Sequence, residues 1–265
     1  MSLSLDSKVI EVLKAKRLIF TVSTGRSGTA FLNWVLDFLP GVKSLHEPEP
    51  EYVKVLRDVQ RNRDLAMQFM CEQKLPAIAK ESGNIYIETS HLFCKGFAEV
   101  TLDLGIVPDL VIHSRKKRDI AKSLFRGGTI PGRTSKALQF YLSPQDPNVL
   151  LLEDWELLND YQLCYWYCLE IERRAYVYRN MFEERGALVM ESTLETVKTF
   201  SGYLSLVKSL NLPRPNLITY YKFWRCRNFK MNVGKTKPGR TDLPENLSEL
   251  EREIEQLVIA GTLSS

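Results

Sequence analysis

The chain has 265 residues, 44% of them hydrophobic and 26% charged, with 36 Lys and Arg against 32 Asp and Glu for a formal net charge of +4. This length and balance fit one large domain with a sizeable core and exclude a disordered or low-complexity chain. The mild positive charge, without a long basic run or basic–aromatic interleaving, suits an anionic small ligand and argues against nucleic acid. No apolar run approaches the roughly 18 residues of a membrane span.

The first segment, Met1 to Lys8, lacks the basic start and apolar core of a signal peptide. Cys71, Cys94, Cys164, Cys168 and Cys226 show no C-x-x-C spacing, and their odd number argues against a closed disulfide set. Both observations predict a soluble, cytoplasmic protein with reduced thiols. Val9 to Lys16 reads as a short amphipathic helix, and Leu18 to Val22 as a strand. Ser23-Thr-Gly-Arg-Ser-Gly28 is a loop of small residues with one cation, and Thr29 to Leu39 is helical by the spacing of Phe31, Leu32, Val35, Leu36 and Leu39. Pro40-Gly41 forces a turn. Val42 to Leu45 is extended and delivers His46-Glu-Pro-Glu-Pro50, where each following proline predicts extended backbone for Glu47 and Glu49.

Tyr52 to Lys80 is mostly helical, with a break expected at Pro76. Asn84 to Thr89 is a strand, and Gly96 to Leu104 a helix that Gly105 ends. Asp109 to Ser114 is a further strand, running into a basic turn and helix from Arg115 to Phe125. Gly127 to Val149 has the look of a binding loop, with one short helical piece at Ser135 to Phe140. A long aromatic helix spans Asp160 to Glu184, with Tyr161, Tyr165, Tyr176 and Phe182 assigned to packing. Gly186 to Met190 is a strand, Leu194 to Leu210 a helix, Lys222 to Arg240 a basic irregular segment, and Pro244 to Ala260 a closing helix stopped by Gly261. Alternating strands and helices predict an α/β fold, a P-loop-like three-layer sandwich around a mainly parallel sheet, in a single domain over 1–265. Ligands of such sheets bind at the carboxyl ends of strands. The opening loop, His46-Glu47, Arg115 and Glu191-Ser192 all map there.

A small-residue loop that joins a strand to a helix makes an anion cradle, because the unpaired N–H groups of the first turn and the helix dipole converge on it. Gly25 and Gly28 permit close backbone approach, and Arg26 adds a forked cation. A nucleotide P-loop needs a lysine and a metal-holding hydroxyl at the helix start. Here Thr29 and Ala30 stand in those places, and the strand ending in Ser114 is followed by Arg115-Lys116-Lys117 instead of an acid. Mg²⁺-dependent ATP chemistry is thereby disfavoured, and no metal is expected. Lys116, Lys117 and Arg118 form either a solvated face or an electrostatic funnel. His113, inside a strand, is expected to be packed and hydrogen-bonded.

Thr24-Gly-Arg-Ser-Gly-Thr-Ala-Phe-Leu32 resembles the 5′-phosphosulfate loop of the PAPS-dependent sulfotransferase superfamily, in the Arg-Ser-Gly-Thr form found in carbohydrate and tyrosylprotein sulfotransferases and bacterial relatives. Arg115 with Ser123 eight residues later is similar to the family's 3′-phosphate pair. Glu47, 21 residues after Arg26, is similar to its catalytic glutamate segment, and Val189 to Leu194 to its fourth strand. The resemblance implies 3′-phosphoadenosine 5′-phosphosulfate (PAPS) as sulfate donor without a metal. It implies binding by Gly25, Arg26, Ser27, Gly28, Thr29, Ala30, Arg115 and Ser123, with Asn232, Gly234 and Lys235 from the late basic segment (about 222–240). Where many relatives carry a lysine near the second strand's end, this chain has Thr89-Ser90-His91.

Sulfuryl transfer passes a planar group in line between two oxygens, so Glu47 is the expected base, His46 the alternative, and Arg26 a stabiliser of the leaving phosphate. The acceptor is expected to be a small-molecule or glycan hydroxyl, with a sugar, a lipid, a phenol and a peptide tyrosine all left open. Its pocket is expected at residues 127–150 and at Tyr161, Tyr165 and Trp166, with Arg126 and Arg133 suited to an acidic acceptor and Phe140 and Tyr141 to an apolar or sugar face. A catalytically silent nucleotide-binding or scaffold protein is the alternative.

Overall fold

Five strands register on one another in parallel, in the order β2-β3-β1-β4-β5, where β1 is Arg17–Val22, β2 Val42–Leu45, β3 Ile85–Glu88, β4 Asp109–Ser114 and β5 Val189–Thr193. Ile19 pairs with Ile87 on one side, and Phe20 with Leu110 on the other. The computed structural model describes residues 5–226 and 242–263. It divides into two compact units, Met1–Arg115 with Ala175–Met231, and Lys116–Arg174 with Asn232–Ser265.

The first unit holds the sheet. Helix α1 (Ser7–Ala15) is capped by Asp6, whose carboxylate accepts from Lys8 N–H at 2.8 Å. Helix α2 is Thr29–Leu36. It stops three residues before the expected Leu39, and the Asp37 carboxylate next to its end accepts from the Ser44 N–H of β2. The stretch after β2 is broken into α3 (Leu56–Val59), α4 (Arg63–Phe69), a π turn (Met70–Lys74) and α5 (Leu75–Lys80). Pro76 therefore opens a helix instead of breaking one, since a missing N–H costs nothing in a first turn. Helix α6 (Ala98–Asp103) ends before Gly105, whose φ of +71° makes the stop.

Alternation along β1 builds the two faces. Ile19, with Ile87 and Val111, packs against α2 and against residues from α11 (Phe200–Ser209) and α12 (Leu217–Cys226). Phe20 points the other way and stacks on Phe93 at 4.5 Å, beside Tyr86 and the Tyr52–Phe69–Phe97 cluster. Burial of such rings contributes to the driving force together with the aliphatic core. The expected α/β parallel sheet is what forms.

The last strand begins three residues later than Gly186. Gly186 (φ +82°) still turns the chain, Leu188 N–H donates to Asp109 Oδ1, and pairing starts at Val189. Glu191 and Ser192 consequently lie within β5. The expected helix from Leu194 to Leu210 is two, α10 (Leu194–Val197) and α11, because Thr193 and Thr199 each cap a new start.

The second unit comprises α7 (Lys117–Arg126), α8 (Ser135–Phe140), the first part of α9 (Asp160–Glu183) and α13 (Leu247–Leu263). Gly261 does not stop α13, consistent with the modest cost, about 1 kcal/mol, of glycine in a helix. Arg118 bridges to Glu251 at 2.6 Å, and Tyr161 donates to the same carboxylate at 2.6 Å. On α9, Tyr161, Tyr165 and Phe182 are buried as expected, whereas Tyr176 is 68% exposed.

Candidate active site

The chain leaves β1 for α2, builds β2 and β3 on one side of β1, and then adds β4 and β5 on the other. The carboxyl end of β1 is thus the point where strand order reverses, the place where open α/β sheets bind ligands. The loop there contains Gly25 (φ +76°), Arg26 (φ +56°) and Gly28 (φ +95°). Two of these positions are free for glycine, but the left-handed conformation at Arg26 is uncommon for a side chain of its size. Gly28 caps α2 with no side-chain hydrogen bond, and no acid occupies the first turn. The Ser27 hydroxyl is buried and has no hydrogen-bond partner among the described residues. Arg26 itself is exposed. An uncapped helix start, a buried hydroxyl without a hydrogen-bond partner among the described residues and an exposed guanidinium together fit an anion of phosphate type.

Glu47 lies beyond the end of β2, and its backbone is not extended: φ is +48°. The extended backbone expected before Pro48 does not form. Proline disfavours the right-handed helical region before it, and the chain instead takes the left-handed one, a sparsely populated choice that surrounding structure must hold. Lys74 braces the segment that follows Glu47. Its ammonium donates to the carbonyls of Pro48 and Pro50 at 3.1 Å each, lies 2.8 Å from the Glu88 carboxylate, and sits over the Tyr52 ring. The Glu47 carboxylate, 30% exposed, comes within 3.4 Å of His91 Nε2.

His91 connects the two halves of the site. On its other nitrogen, Nδ1 lies 2.9 Å from the buried Lys95 ammonium. Its ring also backs onto the loop so closely that a Cβ on Gly25 would stand 3.0 Å from the ring carbon. Burial, with Lys95 and His46 adding to it, holds the His91 pKa well below the ordinary imidazole value. His46 Nδ1 lies 2.7 Å from the Thr89 carbonyl, to which it donates. So His46 and Glu47 both turn toward the end of β3, one through Thr89 and the other through His91. Alternation along an extended segment would have separated them.

No family model matches the chain, and neither does any curated protein. Among solved structures, a sulfotransferase domain from the curacin biosynthetic pathway superposes with a TM-score of 0.54 at 13% identity, covering 92% of this chain and 98% of that one. The chain has a sulfotransferase-type fold. The mouse sulfotransferase SULT7A1, solved in complex with PAP, gives 0.48 at 16% identity over 100% of this chain and 92% of its own.

Within this sulfotransferase-type fold the remaining predicted residues divide. Arg115 follows β4, and its guanidinium donates to the Arg26 carbonyl at 3.4 Å, which brings it to the loop. Thr29 and Ala30 form the first turn of α2. Ser123 lies on α7, in the second unit. Asn232, Gly234 and Lys235 lie outside the described residues. His113 is buried as expected, with Nδ1 2.8 Å from Ser192 Oγ, and burial lowers its pKa to about 4. Glu191 pairs with Arg179.

Several side chains expected around an acceptor are instead engaged in structure. Arg133 bridges Asp160 at 2.6 Å, Tyr165 donates to Glu255, and Trp166 donates to the Leu150 carbonyl. Lys117 and Arg118 pair with Glu172 and Glu251, so those two are not a free funnel. Neither Lys95 nor Lys74 stands in a motif, and His91 gains its contacts only in the fold. One signal was available for Lys95: it stands inside the apolar run Leu92-Phe-Cys-Lys-Gly-Phe97, where a charge must find a buried partner. Among the described residues, no helix is long and apolar enough to cross a membrane, and no cluster of metal-ligating side chains occurs.

Proposed function

We propose that the protein is a sulfotransferase that moves a sulfuryl group from PAPS to a hydroxyl acceptor, with Glu47 as the base. The observation that carries this reading is the contact series Glu47–His91–Gly25. A carboxylate reaches a ring that packs on the anion loop, so a base and an anion grip face one region. The loop residues fit the donor: Ser27 offers a buried hydroxyl, the first-turn amides of Gly28, Thr29 and Ala30 have no capping side chain, and Arg26 offers a forked cation. When bound, PAPS supplies an activated sulfuryl group on a 5′-phosphate leaving group.

The loop donors and Arg26 stabilise the charge that grows on that phosphate, in a site whose amides are already oriented. Glu47 accepts the proton of the attacking hydroxyl, and Lys74 braces the segment that follows it through the Pro48 and Pro50 carbonyls. Arg115 adds charge beside the loop. Ser123 enters this reading through its sequence spacing alone, as do Asn232, Gly234 and Lys235.

Calorimetry with PAP, PAPS and ATP plus Mg²⁺, followed by transfer of labelled sulfate to a panel of sugar, phenol, lipid and peptide hydroxyls, tests the proposal. Metal-independent PAP binding that needs the 3′-phosphate is expected, with transfer lost in Glu47→Gln while PAP binding persists. PAP binding without transfer to any acceptor would favour a silent binding protein instead.

A further inference from the structure

We propose that His91 is a positioning residue, locked by Lys95 with its proton on Nε2, that orients the Glu47 carboxylate and leaves one of its oxygens for the acceptor hydroxyl. The inference rests on Glu47 being the base in the reading above. An ammonium has three N–H donors and no acceptor, so its 2.9 Å contact with Nδ1 requires that nitrogen to present its lone pair. The single ring proton is then on Nε2, the nitrogen 3.4 Å from Glu47 Oε1. That separation is at the outer limit of a hydrogen bond, and a small shift of either side chain would shorten it.

His91 cannot itself take the acceptor's proton. Nε2 is already protonated, and Nδ1 is covered by a cation. Protonation of the ring would place two positive groups in contact inside a buried site, and His46 opposes it from the end of β2. The ring instead relays the field of Lys95 to Glu47. Packing of the ring on Gly25 fixes its plane relative to the anion loop. The role is therefore orientational, and its loss affects turnover more than donor affinity.

The test combines ring spectra with kinetics. The chain has three histidines, so ¹⁵N ring signals can be assigned by single substitutions. At neutral pH the His91 ring is expected as the neutral Nε2–H tautomer, disturbed on Nδ1 in Lys95→Met and on Nε2 in Glu47→Gln. In transfer assays His91→Ala should lower kcat roughly ten- to hundredfold with PAP affinity unchanged, and move the acid limb of kcat/KM to higher pH. His91→Gln, which can place an amide N–H near the position of Nε2, should recover most of the rate, whereas His91→Asn should not. A proton on Nδ1, a doubly protonated ring at pH 7, an unaltered rate in His91→Ala, or no rescue by glutamine over alanine would overturn the proposal. If the wild type transfers no sulfate, the assignment of function fails, and the spectra alone decide the Lys95–His91–Glu47 relay: an unmoved Nε2 signal in Glu47→Gln sinks it.

Discussion

The Lys74 ammonium lies 2.8 Å from the Glu88 carboxylate, and the two side chains are 1% and 0% exposed. Burial pushes the Glu88 pKa up, while Lys74 and the Tyr86 hydroxyl, which donates to it at 2.7 Å, push it down. An ion pair this deep contributes little net stability over an apolar pair, but losing one member strands the other. Lys74→Met should therefore destabilise the fold by about 3–5 kcal/mol in urea unfolding, and Lys74→Met with Glu88→Leu by clearly less. A larger loss in the double variant than in the single one would contradict this account.

His113 makes stability depend on pH. The unfolded chain binds a proton on this ring below about pH 6.5, and the folded chain only below about 4, so acid favours unfolding throughout that window. Stability should fall by roughly 3 kcal/mol from this group alone as pH drops through it, at 1.36 kcal/mol per pH unit. Unfolding curves of His113→Gln and wild type, compared between pH 7 and pH 4, should converge toward acid. Parallel curves would mean that the ring binds its proton equally well in the folded and unfolded chain.

Gly28 should not tolerate a side chain. Its φ is +95°, and a Cβ there would stand 2.5 Å from a methyl of Leu194. The methyl can swing away, but the backbone strain remains, at about 1–2 kcal/mol. Gly28→Ala is expected to lower the melting temperature by a few degrees and to weaken PAP binding more than its stability loss explains. Calorimetry of the folded variant separates the two effects.

Arg26 is exposed and tests the anion grip with little risk to the fold. A charge-assisted contact is worth about 1.5–3 kcal/mol, so Arg26→Ala should weaken PAP roughly ten- to hundredfold. The same titration at rising salt should narrow the gap between variant and wild type. Equal affinities at low salt would remove Arg26 from the site.

All five cysteines are buried thiols outside any disulfide, and burial raises the pKa of Cys71, Cys164, Cys168 and Cys226. Since the thiolate is the reactive form, a colorimetric thiol reagent should label none of them quickly in the native protein and all five in denaturant. Rapid native labelling would contradict the packing around them.

Local patterns in the chain determined the parallel α/β sheet, the strand–loop–helix at residues 17–36 and the places of Arg26, Glu47 and Arg115. Each depends on periodicity, glycine placement or spacing within a few tens of residues, and those act over short range. Only the tertiary structure decided what those groups face. Glu47 turns into a left-handed backbone, and the Pro48 carbonyl after it is bonded by Lys74, a residue of another element that is buried by packing around Tyr52. The fate of Arg133, Tyr165 and Trp166 was equally invisible, because each partner is at least sixteen residues away. His91 gains its meaning from Lys95, Gly25 and Glu47 arriving at one ring. Three elements of the first unit meet there, and no linear pattern encodes a meeting.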